Sequence, residues 1–118
     1  MSIIIYHAGV CTHSRGALEL LRRAGFEPDI VEYLVNPLDR QVLLDLLKRA
    51  GLSVRDIIRI QEQEYKDLGL DDKSLSDEVL LDAIDAHPIL MNRPLVATPL
   101  GVRLCRPAEL VLEILPKD

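Results

Sequence analysis

The chain has 118 residues, 48% hydrophobic but only 3% aromatic, and a formal charge of −5. That length suits one small domain with one core. The acidic balance disfavours a nucleic-acid partner, and no apolar run approaches the length of a membrane span.

Along the chain, the β-branched run SIIIY (2–6) reads as a buried strand. It is too short for a signal core and has no basic segment, so a cytoplasmic protein is expected. From Ser14 to Ala24, Leu18, Leu20 and Leu21 recur at helical spacing, and Gly25 suits a left-handed C-terminal cap. DIVEY (29–33) reads as a second strand, giving a right-handed βαβ unit. Asn36-Pro37 breaks the chain. Asp39 then caps a helix that carries Val42, Leu43, Leu46 and Leu47 and ends at Gly51. Ser53 opens a short helix through Ile58, EYKDL (64–68) is a further helical turn, and Ser76 starts a helix that stops before Pro88.

LVAT (95–98) and VRLC (102–105) flank Pro99-Leu100-Gly101 and read as a hairpin. Pro107 suits the first position of a last helix, AELVLEIL. A parallel pair followed by an antiparallel hairpin gives an α/β fold. Its mixed four-stranded sheet follows the thioredoxin or glutaredoxin order, with a helical insertion at about 38–87 inside a single domain over 1–118. No internal repeat, low-complexity segment or linker is visible.

Cys11 falls just after the first strand, where a helix begins. Unpaired N–H groups at a helix start carry partial positive charge, stabilise a thiolate and hold oxyanions. Ser14 and Arg15 offer further donors, Gly9 lets the backbone bend close, and an imidazolium at His7 or His13 would add to the effect. Taken alone, His7 reads as a packing residue at a strand end and His13 as a solvated loop residue. A Cys-x-x-Cys pair is excluded because Ser14 stands where the second cysteine would be, and a phosphatase-type loop because Ala17 stands where its arginine would be. His7, Cys11 and His13 lack a fourth metal ligand, so no metal is expected. Cys105 ends an apolar strand and reads as buried and inert. Two cysteines so far apart make no disulfide framework, which points to a reducing compartment.

The stretches YHAGVCTHSR, GLSVRDIIR, EYKDLGL and HPILMNRPLVATPLGVRLCRP resemble the glutaredoxin-coupled arsenate reductases along nearly the whole chain. The family usually has Asn-Pro after the histidine, where this chain has Ala8-Gly9. The resemblance implies that Cys11 attacks arsenate to form a thiol–arsenic adduct. Glutathione then joins as co-substrate and glutaredoxin completes the reduction, with no bound cofactor. It implies that Arg59, Arg93 and Arg106 hold the oxyanion, that Ser14 and Arg15 help shape the anion site, and that His7 favours the thiolate. Pro94 matches the cis-proline beside the active cysteine of thioredoxin-like folds. An arginine fork suits a tetrahedral oxyanion, and fixed positive charge offsets the repulsion between two anions. Arg55 lies one turn from Arg59, at a spacing that can place both on one face. Two other functions fit the same fold: a partner-binding regulator of the Spx type, whose redox-switched members use a Cys-x-x-Cys pair absent here, and a thiol oxidoreductase acting on glutathione mixed disulfides. A monomer is expected.

Overall fold

The computed structural model describes residues 2–116. Its elements are β1 (Ile4–His7), α1 (Thr12–Arg23), β2 (Asp29–Glu32), α2 (Arg40–Ala50), α3 (Gln63–Asp67), α4 (Asp77–Ala86), β3 (Leu95–Thr98) and β4 (Gly101–Leu104). Short 3₁₀ segments occupy Arg55–Ile57, Pro88–Leu90 and Ala108–Ile114. The chain divides into two compact units. One joins the segment up to Asn36 with the segment from Arg93 onward, and the other is Pro37–Asn92.

The first unit holds the sheet, in the order β2-β1-β3-β4. β1 and β2 are parallel, while β1–β3 and β3–β4 are antiparallel. This is the mixed thioredoxin-like sheet expected from the order of elements. Ile5 pairs with Ile30 on one side and Val96 on the other. β3 is buried along its whole length, as its apolar sequence requires of a strand enclosed by neighbours. β2 is an edge strand, and Asp29 and Glu32 keep that edge charged.

α1 turns Ser14, Ala17 and Leu21 inward. Ala17 and Leu21 pack with Ile3, Ile5, Val96, Cys105, Val111 and Ile114 in one core cluster. A Cβ on Gly16 would lie 3.2 Å from Ala108 Cβ, so a glycine lets α1 approach the C-terminal 3₁₀ segment closely. α1 ends as its sequence predicts. Gly25 has φ 91°, its N–H donates to Arg22 C=O, and the Phe26 N–H donates to Leu21 C=O. That pairing is a Schellman motif, with Phe26 packed on the core cluster that contains Leu21. At the β3–β4 turn, the Thr98 hydroxyl accepts from the Leu100 N–H at 3.1 Å and donates to Ile114 C=O at 2.6 Å.

Two expectations need correction here. α1 begins at Thr12 rather than Ser14, because Cys11 itself takes the N-cap position. The last helix is 3₁₀, with Pro107 as its N-cap residue instead of its first helical residue. Ala108, Val111 and Ile114 recur every third residue, which aligns on one face of a helix with 3.0 residues per turn. The peptide bonds Arg93–Pro94 and Arg106–Pro107 are both cis, the first as expected.

The second unit is helical, and local signals set its ends. Asp39 accepts from the Gln41 N–H at 2.9 Å, and Ser76 accepts from the Val79 N–H at 3.4 Å. Ser53 and Asp56 cap each other reciprocally, but the segment they open is a three-residue 3₁₀ turn, shorter than the helix expected there. Arg40 pairs with Glu78, Asp82 and Asp85 on α4. Among the described residues no helix is long and apolar enough to cross a membrane.

Leu21 is completely buried in the core cluster of the first unit. Leu21→Ala is expected to lower stability by about 2–5 kcal/mol, measured by urea unfolding.

Candidate active site

β1 stops at His7, and the chain makes a tight turn into α1. The Cys11 N–H donates to Ala8 C=O at 3.0 Å, and Cys11 C=O accepts from the Arg15 N–H at 3.0 Å. Cys11 keeps the extended backbone of an N-cap residue, φ −98° and ψ 125°. Its sulfur therefore meets the free N–H groups of the first turn. Burial pushes the Cys11 thiol up, but the Ser14 N–H, the Arg93 and Arg106 side chains and the His13 N–H outweigh it, so its pKa falls from 9.0 to about 7. Cys11 is 9% exposed, largely shielded from bulk water.

The loop is held from beneath by Ser14, which is fully buried. Its Oγ accepts from the Ala8 N–H at 3.0 Å and lies 2.7 Å from His7 Nδ1. His7 thus acts on the loop through Ser14, and its hydrogen bond goes there and not to the sulfur. Burial lowers the His7 pKa, and although the Glu32 charge opposes this, Arg15 and Arg22 add to it. A neutral imidazole is the favoured form at pH 7. Arg15 NH1 donates to Gly9 C=O at 2.7 Å, closing the loop from the solvent side.

The other wall comes from the distant end of the first unit. Arg106 NH1 lies 3.5 Å from Cys11 Sγ and donates at 2.9 Å to the C=O of Arg93. One guanidinium therefore ties the cysteine loop to the Arg93–Pro94 segment. Arg93 is buried, its side chain donates to Cys11, and its NH1 lies 3.4 Å from the Tyr33 hydroxyl. Burial disfavours its charge, but Tyr33 and Cys11 more than offset this and raise its pKa.

Of the residues singled out from sequence, the first unit brings together Cys11, His7, Ser14, Arg15, Arg93 and Arg106. Arg59 belongs to the second unit, where its Nε donates to Glu62 at 2.8 Å and its NH1 to Asn92 Oδ1 at 3.0 Å. Cys105 is fully buried, and burial pushes its thiol up to about 12, in keeping with an inert core residue. Tyr33 is the participant that sequence reading passes over. The available signal is that a buried tyrosine hydroxyl needs a polar partner, in a chain with only three tyrosines.

The arrangement gathers hydrogen-bond donors and positive charge around one thiol, which suits it to hold an anion and to ionise the sulfur. Two backbone N–H groups and two guanidiniums converge on a sulfur poised to ionise near neutral pH, where an ordinary thiol is only a few per cent thiolate. The rate of Cys11 alkylation by iodoacetamide should rise with pH and inflect near the value of about 7. In Arg106→Ala the inflection should move upward, since a donor to the thiolate is lost. Ser14→Ala should cost about 1–3 kcal/mol of stability, measured by urea unfolding, because the buried Ala8 N–H loses its acceptor.

Comparison with known proteins fits this site. The ArsC family matches residues 6–114. The arsenate reductase of Rhizobium meliloti (strain 1021) is 53% identical over 116 residues, covering 98% of this chain and 83% of the relative. That of Escherichia coli (strain K12) is 49% identical over 115 residues, covering 98% and 82%. The solved structure of an arsenate reductase from Vibrio cholerae superposes with a TM-score of 0.92 at 41% identity, covering 98% of each chain. The sheet order, the cysteine at the start of α1 and a match across this much of the sequence together mean that the chain belongs to the ArsC family, on a thioredoxin-like fold.

Proposed function

We propose that this protein is an arsenate reductase with Cys11 as its nucleophile. The observation that carries the reading is the Arg106 guanidinium, 3.5 Å from Cys11 Sγ and anchored on Arg93 C=O. A thiolate and an oxyanion repel each other, and fixed donors at the point of attack offset that repulsion without reorganising. The relatives at 49–53% identity carry the same activity in their names.

In the first step the Cys11 thiolate attacks arsenic, an S–As bond forms, and one arsenate oxygen leaves as water after protonation. Arg93 and Arg106 hold the remaining oxygens, and the Ser14 and His13 N–H groups stabilise the sulfur before attack. Two thiol equivalents then supply two electrons. Arsenic(V) becomes arsenic(III), the thiols become a disulfide, and arsenite leaves with Cys11 again a thiolate. Glutathione is the proposed thiol, with glutaredoxin completing the exchange and no bound cofactor required. Arg59 is proposed as a further cation for the oxyanion on its motif match alone. The reading takes residues 1–118 as one functional domain, working as a cytoplasmic monomer.

Purified protein supplied with arsenate, glutathione and a glutaredoxin should produce arsenite, and Cys11→Ser should abolish this. Arg93→Ala should lower kcat/KM for arsenate about tenfold to hundredfold, the worth of a charged hydrogen bond. A folded protein with reactive Cys11 and no arsenite production would move the reading to reduction of glutathione mixed disulfides.

A further inference from the structure

Beside the cysteine loop, a groove of about 640 Å³ runs along α1, lined by His7, Gly9, Arg15, Leu18, Glu19, Arg22 and Arg23. The α1 members follow the spacing of a single helix face, which borders the one turned to the core by Ser14, Ala17 and Leu21 and shares Leu18 with it. Arg22 and Arg23 suit the negative end of the helix dipole, but Arg15 stands in the first turn, where that dipole disfavours a cation. In a chain of net charge −5, three guanidiniums nevertheless stand along this face. Their carboxylate partners are weakly held. Arg22 pairs with Glu27 at 3.1 Å and Arg23 with Glu19 at 2.7 Å, and all four side chains are at least half exposed. Pairs of this kind contribute little, so a ligand carboxylate can take the place of the glutamate. Arg15 spends one of its donors on Gly9 C=O and keeps others.

We propose that this groove binds the carboxylate-bearing thiol co-substrate, glutathione, with an end-carboxylate at Arg22 and Arg23 and its thiol directed toward Gly9 and the Cys11 loop. The assignment rests on the thiol-dependent reading above and extends it to a site for the reductant.

The dimensions agree. From Arg15 to Arg22 the helix rises about 10 Å, and an extended tripeptide spans about 10 Å. Leu18, half-buried midway, supplies an apolar strip beneath the ligand's backbone. The groove meets the catalytic loop at Gly9, where a Cβ would lie 3.8 Å from His7 Nε2. A ligand held at Arg22 therefore approaches the thiol–arsenic adduct from the α1 side. The anion donors Arg93 and Arg106 act on the sulfur from the other end of the chain.

The test is calorimetric titration of the full chain with S-methylglutathione, which keeps both carboxylates but cannot react. Binding is expected to weaken about tenfold in Arg22→Glu and in wild type titrated with the diamide of the same peptide, as loss of a charged hydrogen bond requires. Arg22→Lys, which keeps the charge, should retain part of the affinity. In turnover, Arg22→Gln should raise KM for glutathione about tenfold while leaving KM for arsenate and the Cys11 alkylation profile unchanged. Absence of binding, equal binding of the diamide, or indifference to Arg22→Glu would overturn the proposal. So would displacement by inorganic phosphate at equal concentration, which would make the groove a simple oxyanion site. Because the titration needs no turnover, a protein that binds S-methylglutathione but fails to reduce arsenate would retain the groove and discard only the arsenate reading.

Discussion

At the sulfur of Cys11, donors from both ends of the sequence meet. Cys11 is the N-cap of α1, so the Ser14 and His13 N–H groups face it without any side chain having to be ordered. Arg93 and Arg106 complete the ring from the segments on either side of the β3–β4 hairpin. The Arg106 guanidinium contacts both the sulfur and the Arg93 carbonyl, so its position is set by backbone as well as by charge. Much of the remaining structure of this unit serves to keep those groups converged.

Ser14 shows how tightly the loop is tied to the fold. It is one residue of α1, yet it faces the core, holds the Ala8 N–H and meets His7 at the end of β1. The strand end, the loop and the helix start are therefore hydrogen-bonded to one another through one side chain. Arg15 closes the same loop from outside through Gly9 C=O. Ala8-Gly9 bring no side-chain donor of their own to this turn. Its shape comes from backbone hydrogen bonds and from the side chains that follow the cysteine.

The two cysteines make the physical contrast plain. Both are largely shielded from water, and burial alone raises a thiol pKa. At Cys105 little opposes burial, and the thiol is pushed up to about 12 among Val96, Val111 and Ile114. At Cys11, which is less deeply buried than Cys105, desolvation is overcome by two backbone N–H groups and two guanidiniums, and the value falls to about 7. The two thiols differ both in depth of burial and in the donors that reach the sulfur, and in a shielded site each donor counts for more.

What the sequence determined by itself was whatever depends on near neighbours. The apolar runs became strands, and Asp39, Ser76 and Gly25 ended helices, because a cap or a Schellman turn is built from residues a few positions apart. The place of Cys11 at a strand–helix joint was legible for the same reason. The 3₁₀ form of Ala108–Ile114 was less so, since threefold and 3.6-fold apolar spacing differ little over so short a stretch. Only the tertiary structure decided which side chains reach the sulfur. Arg106 lies 95 residues from Cys11 in sequence, and Tyr33 lies 60 from the Arg93 it supports. Neither pairing leaves a local pattern, and each exists only because the sheet brings the end of β1 beside the segments that flank β3 and β4. The use of Arg15 on Gly9, and of His7 on Ser14, was decided in the same way, by a fold that brought those partners within reach.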